Sequence, residues 1–259
     1  MTRTEQIAYL IDVLLEEMPQ YRAQAEQETG GRKGRELLRA LMNVRPPMPL
    51  NADFLAVQDA LLQAERDERG VVGVSKLPAT SDPRVLLWRG DITRLAADAI
   101  VNAANAAMLG CFVPCHSCID NAIHSAAGLQ LRDECHRLMR RQGHDEPAGC
   151  AKLTKGYNLP AKYVLHTVGP IVTDAPTRED RRLLASCYRS CLQAAGQRGL
   201  KSIAFCCIST GVFHFPNQEA ASIAVDTVKD ELKRTHDEIK VIFNVFTDTD
   251  EQLYRGLLR

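Results

Sequence analysis

An excess of charge of either sign is missing from this sequence. Lys plus Arg and Asp plus Glu both number 32 in 259 residues, so the formal net charge is zero. No global field draws in a polyanion, which argues against a nucleic-acid-binding module. A phosphate ligand must instead be held locally, by backbone N–H groups. Aromatics make up only 5% with a single Trp, and no basic stripe interleaved with aromatics offers bases a stacking platform. No apolar run is long enough to span a bilayer. The opening MTRTEQIAYLIDVLLEEMP has a short apolar face, but Asp12, Glu16 and Glu17 interrupt it. It lacks the unbroken apolar core and small-residue cleavage site of a signal peptide. The expected compartment is cytoplasmic, with neither membrane nor nucleic acid among the partners. A paired cysteine framework is missing too: nine cysteines are an odd number, and in a reducing compartment they stay thiols. Cys187, Cys191, Cys206 and Cys207 sit in apolar or helical surroundings and read as small core residues.

What is present is a hydrophobic fraction of 45%, ordinary for a soluble globule with a sizeable core. Over residues 4–18, Ile7, Leu10, Ile11, Leu14 and Leu15 recur at helical spacing, and Pro19 ends that stripe. Gly30-Gly31 breaks the chain; Leu37, Leu38, Leu41 and Met42 then predict a second short helix. The run Arg45-Pro46-Pro47-Met48-Pro49 cannot be helical, and Asn51 is placed to cap a third helix carrying Phe54, Leu55, Leu61 and Leu62. Residues 1–75 therefore read as a helical extension packed on a core of 76–259. Beyond Gly70, strand-like runs at 85–88, 99–101, 163–168, 203–208 and 239–246 alternate with helix-like segments at 120–140, 178–198 and 217–234. This alternation predicts an α/β sandwich with helices on both faces of a central sheet. The loops at 90–93, 102–118 and 209–215 follow strands, so they can meet on the rim where such sheets bind ligands.

The most specific pattern is Cys111-x4-His116-x-Cys118. Three soft or borderline ligands inside eight residues suit zinc, which takes thiolate and imidazole; the bland alternative is two structural thiols and a surface histidine. Cys115 is a fourth ligand if it turns inward, although adjacent side chains diverge in an extended segment. Asp120 is placed to cap the next helix, and His124, one turn on, reads as a packing or supporting residue. The turn Ser209-Thr210-Gly211-Val212-Phe213 joins an apolar run to a helix starting near Pro216. It presents backbone N–H groups to an anion, yet its composition is also that of an ordinary turn. Asp91 reads as an N-cap, Asn102 and Asn105 as turn formers. Phe246, beside Asn244 at the end of the last run, reads as core packing, with base stacking as the alternative.

Taken together, these residues resemble the macrodomain family. GDIT at 90–93, VNAAN at 101–105 and STGVF at 209–213 look like its three ligand-binding loops. The insert GCFVPCHSCIDN at 110–121 is similar to that of the zinc-containing microbial branch, whose members are protein-ADP-ribose hydrolases. The core likeness covers 85–259, and RPPMPLNADFLAVQDALL at 45–62 also resembles that branch. The resemblance implies a three-layer α/β/α macrodomain with a mixed central sheet, and ADP-ribose as ligand. It implies that Asp91 accepts from the adenine amino group while Ile92 offers its N–H, and that Ser209, Thr210, Gly211 and Val212 cradle the diphosphate with Phe213 beside the distal ribose. Asn105 would hydrogen-bond that ribose, with Cys118, Ile119 and Asp120 adjoining it. Cys111, His116 and Cys118 would hold Zn2+ and leave a fourth position open. Asp120, in Asp120-Asn121-Ala122-Ile123-His124, matches the aspartate of hydrolytic macrodomains and, with Asn105, would be catalytic. His214 stands where the family often has Gly. The implied function is zinc-dependent removal of mono-ADP-ribose from protein side chains, Asp/Glu-linked, with O-acetyl-ADP-ribose deacetylation as a side activity. The implied substrate is a lipoyl carrier protein modified by a sirtuin-type ADP-ribosyltransferase. The rival reading is a non-catalytic ADP-ribose reader with a structural zinc.

Overall fold

The computed structural model describes residues 1–25, 32–235 and 238–259. The Gly30-Gly31 break read from the sequence lies outside them. The chain begins with helices. In α1 (Arg3–Glu17) the Thr2 side chain accepts from the Glu5 N–H while the Glu5 carboxylate accepts from the Thr2 N–H, so two orphan donors of the helix end are satisfied reciprocally. After α2 (Arg22–Ala25) come α3 (Arg32–Val44) and α4 (Ala52–Arg69), the last capped by Asn51 as its sequence position predicted. Their apolar stripes face one another: Leu10, Leu14, Leu38, Leu41, Phe54 and Leu61 form a buried cluster, which Leu129 joins from the main body.

The remaining elements are β1 (Val72–Gly73), β2 (Val85–Arg89), β3 (Leu95–Ala96), β4 (Ala99–Ala104), α5 (Ile119–Ala127), α6 (Leu129–Gln142), β5 (Ala151–Lys155), β6 (Tyr163–Val168), α7 (Arg178–Gln197), β7 (Ser202–Phe205), α8 (Asn217–Thr235), β8 (Lys240–Val245) and α9 (Asp248–Leu257). β1 and β3 make a short parallel pair. The main sheet runs β2-β8-β7-β4-β6-β5, and all its pairings are parallel except β5 with β6. It is a mixed sheet with helices on both sides, as the alternation of runs predicted. The inner strands are buried on both faces, which is why they read as continuous apolar runs rather than alternating ones.

Four differences from the sequence expectations have local causes. The segment 120–140 is two helices, because Gly128 (φ 95°) ends α5 and the Gln58 side chain of α4 accepts from the Leu129 N–H (3.0 Å). Strand β7 stops at Phe205 instead of running on to Ile208, where the turn begins. β5, AKLTK, is an edge strand that is absent from the strand-like runs named above; its pairing with β6, not its composition, makes it a strand. Phe246 is not packed in the core: it is 76% exposed, just past the end of β8. Among the described residues no helix is long and apolar enough to cross a membrane. Of the cysteines read as core, Cys187, Cys191 and Cys206 are buried and Cys207 half-buried.

The chain leaves β4 towards β6 on one side, while β7, the other neighbour of β4, is followed by β8 on the opposite side. That reversal of strand order opens a crevice at the carboxyl ends of the parallel strands. The loops after β2, β4, β6 and β7 therefore share one rim.

Candidate active site

Backbone strain concentrates on that rim. Of the five non-glycine residues at positive φ among the described residues, four lie in two of its loops: Met108 and Cys115 after β4, Ser209 and His214 after β7. Such conformations cost of order 1–3 kcal/mol each and persist where surrounding structure over-determines them. His214 (φ 56°) adopts the left-handed form that glycine reaches without steric cost. Ser209 is buried, its hydroxyl has no hydrogen-bond partner, and a Cβ on Gly169 would sit 2.0 Å from that oxygen. The glycine after β6 thus lets the turn after β7 approach. The turn is further tied by Thr210 Oγ1 donating to the Cys207 carbonyl (3.0 Å) and by the Val172 N–H donating to the Phe213 carbonyl (2.9 Å). Gly211 and Val212 are exposed and Phe213 half-buried.

Asp120, at the second position of α5, is the centre of the other half of the rim. Its carboxylate is buried, with Oδ1 accepting from Asn102 Nδ2 (2.8 Å) and Oδ2 from Asn105 Nδ2 (3.4 Å). Burial pushes its pKa up to about 6, against the opposing pull of the Asn102 bond and the Arg132 charge. Asn105 also donates to the Gly110 carbonyl (3.1 Å) and accepts from the Met108 N–H (3.1 Å), which folds the loop after β4 back on itself. Asn102 is not a turn former. It is the fourth residue of β4, fully buried, and its amide nitrogen lies between Asp120 and His166 Nδ1 (3.1 Å). His166 Nε2 meets Thr154 Oγ1 at 2.9 Å, and burial holds its pKa down at about 3. His124 is buried as well, Nε2 3.5 Å from Asp120 Oδ1, and is kept neutral by burial and by its neighbours His166 and Arg132. His124, Cys135 and His166 form a buried trio close enough for a metal, but both His166 nitrogens already have protein partners, so this trio reads as packing.

Arg132 on α6 was missed in the sequence. It is buried, donating from Nε to the Leu109 carbonyl (2.7 Å) and from Nη1 to those of Met42 (2.9 Å) and Arg45 (2.6 Å). Burial lowers its pKa to about 10, so it stays charged at neutral pH, and its guanidinium stacks 4.4 Å from the centre of the Phe112 ring. The available signal was an arginine set among the buried Leu129, Leu131 and Cys135.

The predicted ligand trio is brought together. Sγ of Cys111, Nδ1 of His116 and Sγ of Cys118 all lie within 4.8 Å of one another, with Cys111 to His116 at 3.7 Å. A tetrahedral zinc with ordinary bond lengths sets its sulfur and nitrogen ligands roughly 3.6 Å apart, so this donor set fits the ion. Burial pushes the Cys118 thiol up to about 11, and its sulfur accepts from the Asn121 N–H (3.4 Å) as the cap of α5. A bound dication displaces such a proton. Cys115 points elsewhere: it is exposed and its thiol donates to the Glu36 carbonyl (3.4 Å). Ile119, between Cys118 and Asp120, is half-buried.

At the far end of the rim, Asp91 Oδ1 accepts from the Thr93 N–H (2.9 Å) and hydroxyl (2.7 Å), and Oδ2 pairs with Arg69 of α4 (3.3 Å). The next residue, Ile92, is buried. Asn244, at the end of β8, donates to the Gly90 carbonyl (2.9 Å) and so supports that turn. A cavity of about 290 Å³ between α7 and α8, lined by Leu192, Glu231 and Ile239, lies beside the amino end of β8, at the opposite end of the parallel strands from the rim.

The chain is similar to known proteins. A family model described as "Macro domain" matches residues 101–224. The chain is 51% identical over 262 residues, covering 100% of both chains, to a "Protein-ADP-ribose hydrolase" of Treponema medium. It is 52% identical over 221 residues to a protein of that description from Staphylococcus aureus (strain MRSA252), covering 85% of this chain and 83% of the other. Among solved structures, the Trypanosoma brucei macrodomain in complex with ADP-ribose is similar with a TM-score of 0.66 at 31% identity, covering 85% of this chain and 95% of the other. The sheet, its rim and these likenesses agree: the chain belongs to the macro domain family.

Proposed function

We propose that this protein is a protein-ADP-ribose hydrolase acting on mono-ADP-ribose esterified to aspartyl or glutamyl side chains, with zinc held by Cys111, His116 and Cys118. The observation that carries the reading is the buried Asp120 carboxylate, suspended between two asparagine amides and two residues from the last member of a metal-ready trio. A buried carboxylate held by two neutral amides, with a neutral His124 beside it instead of a cation, is placed to accept a proton. In the ester hydrolysis, Asp120 orients the attacking water and takes its proton, the ester C–O bond breaks, and free ADP-ribose and a free side-chain carboxylate result. Asn102 holds one oxygen of Asp120, which leaves the other towards Asn105 and the distal ribose. When bound, zinc supplies a Lewis acid that stabilises negative charge developing on oxygen. The amides of Ser209 to Phe213 receive the diphosphate, and the Asp91 carboxylate with the Ile92 N–H receives adenine. The ADP-ribose-bound relative and the shared description of the bacterial relatives support this assignment. The same pocket accommodates O-acetyl-ADP-ribose, and a lipoyl carrier protein is the substrate to try first.

The test is release of ADP-ribose from a protein modified on acidic residues. The intact protein is expected to release it, Asp120→Ala and chelated protein to fail, and zinc to restore the chelated sample. Tight binding of ADP-ribose with no release would replace the enzyme by a binding module. Release that survives both Asp120→Ala and chelation would remove the chemistry proposed.

A further inference from the structure

The metal-ready loop is not held by the sandwich alone. Two residues one helical turn apart on α3, Arg39 and Asn43, face it from the extension. Arg39 forks onto Asn121 Oδ1 (Nη2 2.7 Å, Nε 3.3 Å) and donates from Nη2 to the His116 carbonyl (3.2 Å). Asn43, 2% exposed, accepts the Cys115 N–H on Oδ1 (2.9 Å) and donates to Ser125 Oγ on α5 (3.0 Å). Asn121, oriented by Arg39, in turn donates to the Val113 carbonyl (3.0 Å). Side chains thus grip the backbone at three points within four residues, and the grip on Cys115 and His116 comes from α3.

That grip falls where the loop is strained. Cys115 has φ 52°, the left-handed form that a residue with a Cβ adopts only at a cost. In this form its thiol turns back to the Glu36 carbonyl of α3, while the next side chain, His116, reaches Cys111 at 3.7 Å. Two adjacent residues both able to ligate a soft cation are thereby sorted, one inward and one outward. Nothing in the loop's own sequence requires that choice, since Cys115 and His116 are chemically competent alike.

We propose that helix α3 is a template for the metal loop: through Asn43 and Arg39 it selects His116 over Cys115 as the ligand between Cys111 and Cys118. This rests on the zinc reading of the trio above. The selection matters because it sets the ligand set at two thiolates and one imidazole rather than three thiolates, and with it the net charge of the site. Arg39 and Asn43 are positioning residues; neither belongs to the trio, and the apolar side of α3 (Leu37, Leu38, Leu41, Met42) is buried independently of them.

The test uses the full chain with zinc alone and with cobalt(II) as a spectroscopic probe. Zinc affinity is read by competition with a chromophoric chelator for wild type, Asn43→Ala and the milder Arg39→Lys, which keeps the charge but loses the fork. Loss of a residue that orients metal ligands typically weakens affinity about 10- to 100-fold, and a loss in that range is expected for Asn43→Ala, with a smaller one for Arg39→Lys. The cobalt protein reports which atoms bind. Thiolate-to-metal absorption is expected to rise in Asn43→Ala as Cys115 enters, and to return to the wild-type level when Cys115→Ser is added. Wild-type affinity together with an unchanged cobalt spectrum in both variants overturns the template while leaving the zinc reading intact. A wild-type protein that takes up no zinc overturns the zinc reading, and the template falls with it.

Discussion

The two ends of the rim are built on different principles. At the Asp91 end the carboxylate is fixed by a residue two positions away, Thr93, with a half-exposed Arg69 as a long-range partner. At the Asp120 end nearly every support is distant in sequence: Asn102 bonds across 18 residues, and Arg39 and Asn43 act across 72 to 82. Local hydrogen bonds form whenever the turn forms, so the first end tolerates change elsewhere in the chain. The second is assembled only when sheet, α5, α6 and the extension are all docked, and a defect in any of them reaches it.

The largest break is expected from Asp120→Asn, which keeps the shape and removes the base. A lost general base typically costs about 10²- to 10⁴-fold in rate, so ADP-ribose release should fall in that range while ADP-ribose binding, followed by calorimetry, is retained. Arg132→Met tests the dependence on docking. It leaves the carbonyls of Met42 and Arg45, both in buried bonds, and the half-buried one of Leu109 without their donor, and a loss of about 3 kcal/mol in urea unfolding is expected.

Acid should act at the same end. His166 titrates near 3 in the folded protein because it is buried, against about 6.5 in an unfolded chain. Between these values the unfolded state binds the extra proton, so the stability conferred by the neutral imidazole is full above about pH 6.5 and lost as the pH falls towards 3. The slope from this residue approaches about 1.4 kcal/mol per pH unit, and His166→Gln should flatten that part of a stability–pH curve. The smallest effect belongs to the local end. Asp91→Ala removes a turn cap worth about 1 kcal/mol, and its expected signature is a roughly tenfold weaker ADP-ribose affinity with thermal stability little changed. An Asp91 variant that unfolds the protein, or an Arg132 variant that does not weaken it, would erase the contrast between the two ends.

The division between what was legible and what was not follows the same line. Asn51 as a helix cap, the buried strand runs and the trio spacing could all be read because each depends on neighbours within a few residues. Asn102 was misread as a turn former because an amide at a strand end is usually one; only the partner 18 residues on makes it a support for Asp120. Phe246 was assigned to the core on hydrophobicity, and the last strand ended one residue too early to take it there. β5 was overlooked because an edge strand needs only one partner and can carry lysines.

By itself the sequence determined the alternation of elements, a central sheet with strand-following loops on one rim, and a cysteine–histidine cluster beside a carboxylate, since periodicity and side-chain chemistry are local properties. Tertiary structure decided that Cys115 turns away while His116 turns in, that Asp120 is dry, and that a helix from the extension grips the loop between them. Those outcomes depend on which surfaces bury each other, and burial is a property of the assembled chain rather than of any stretch of it.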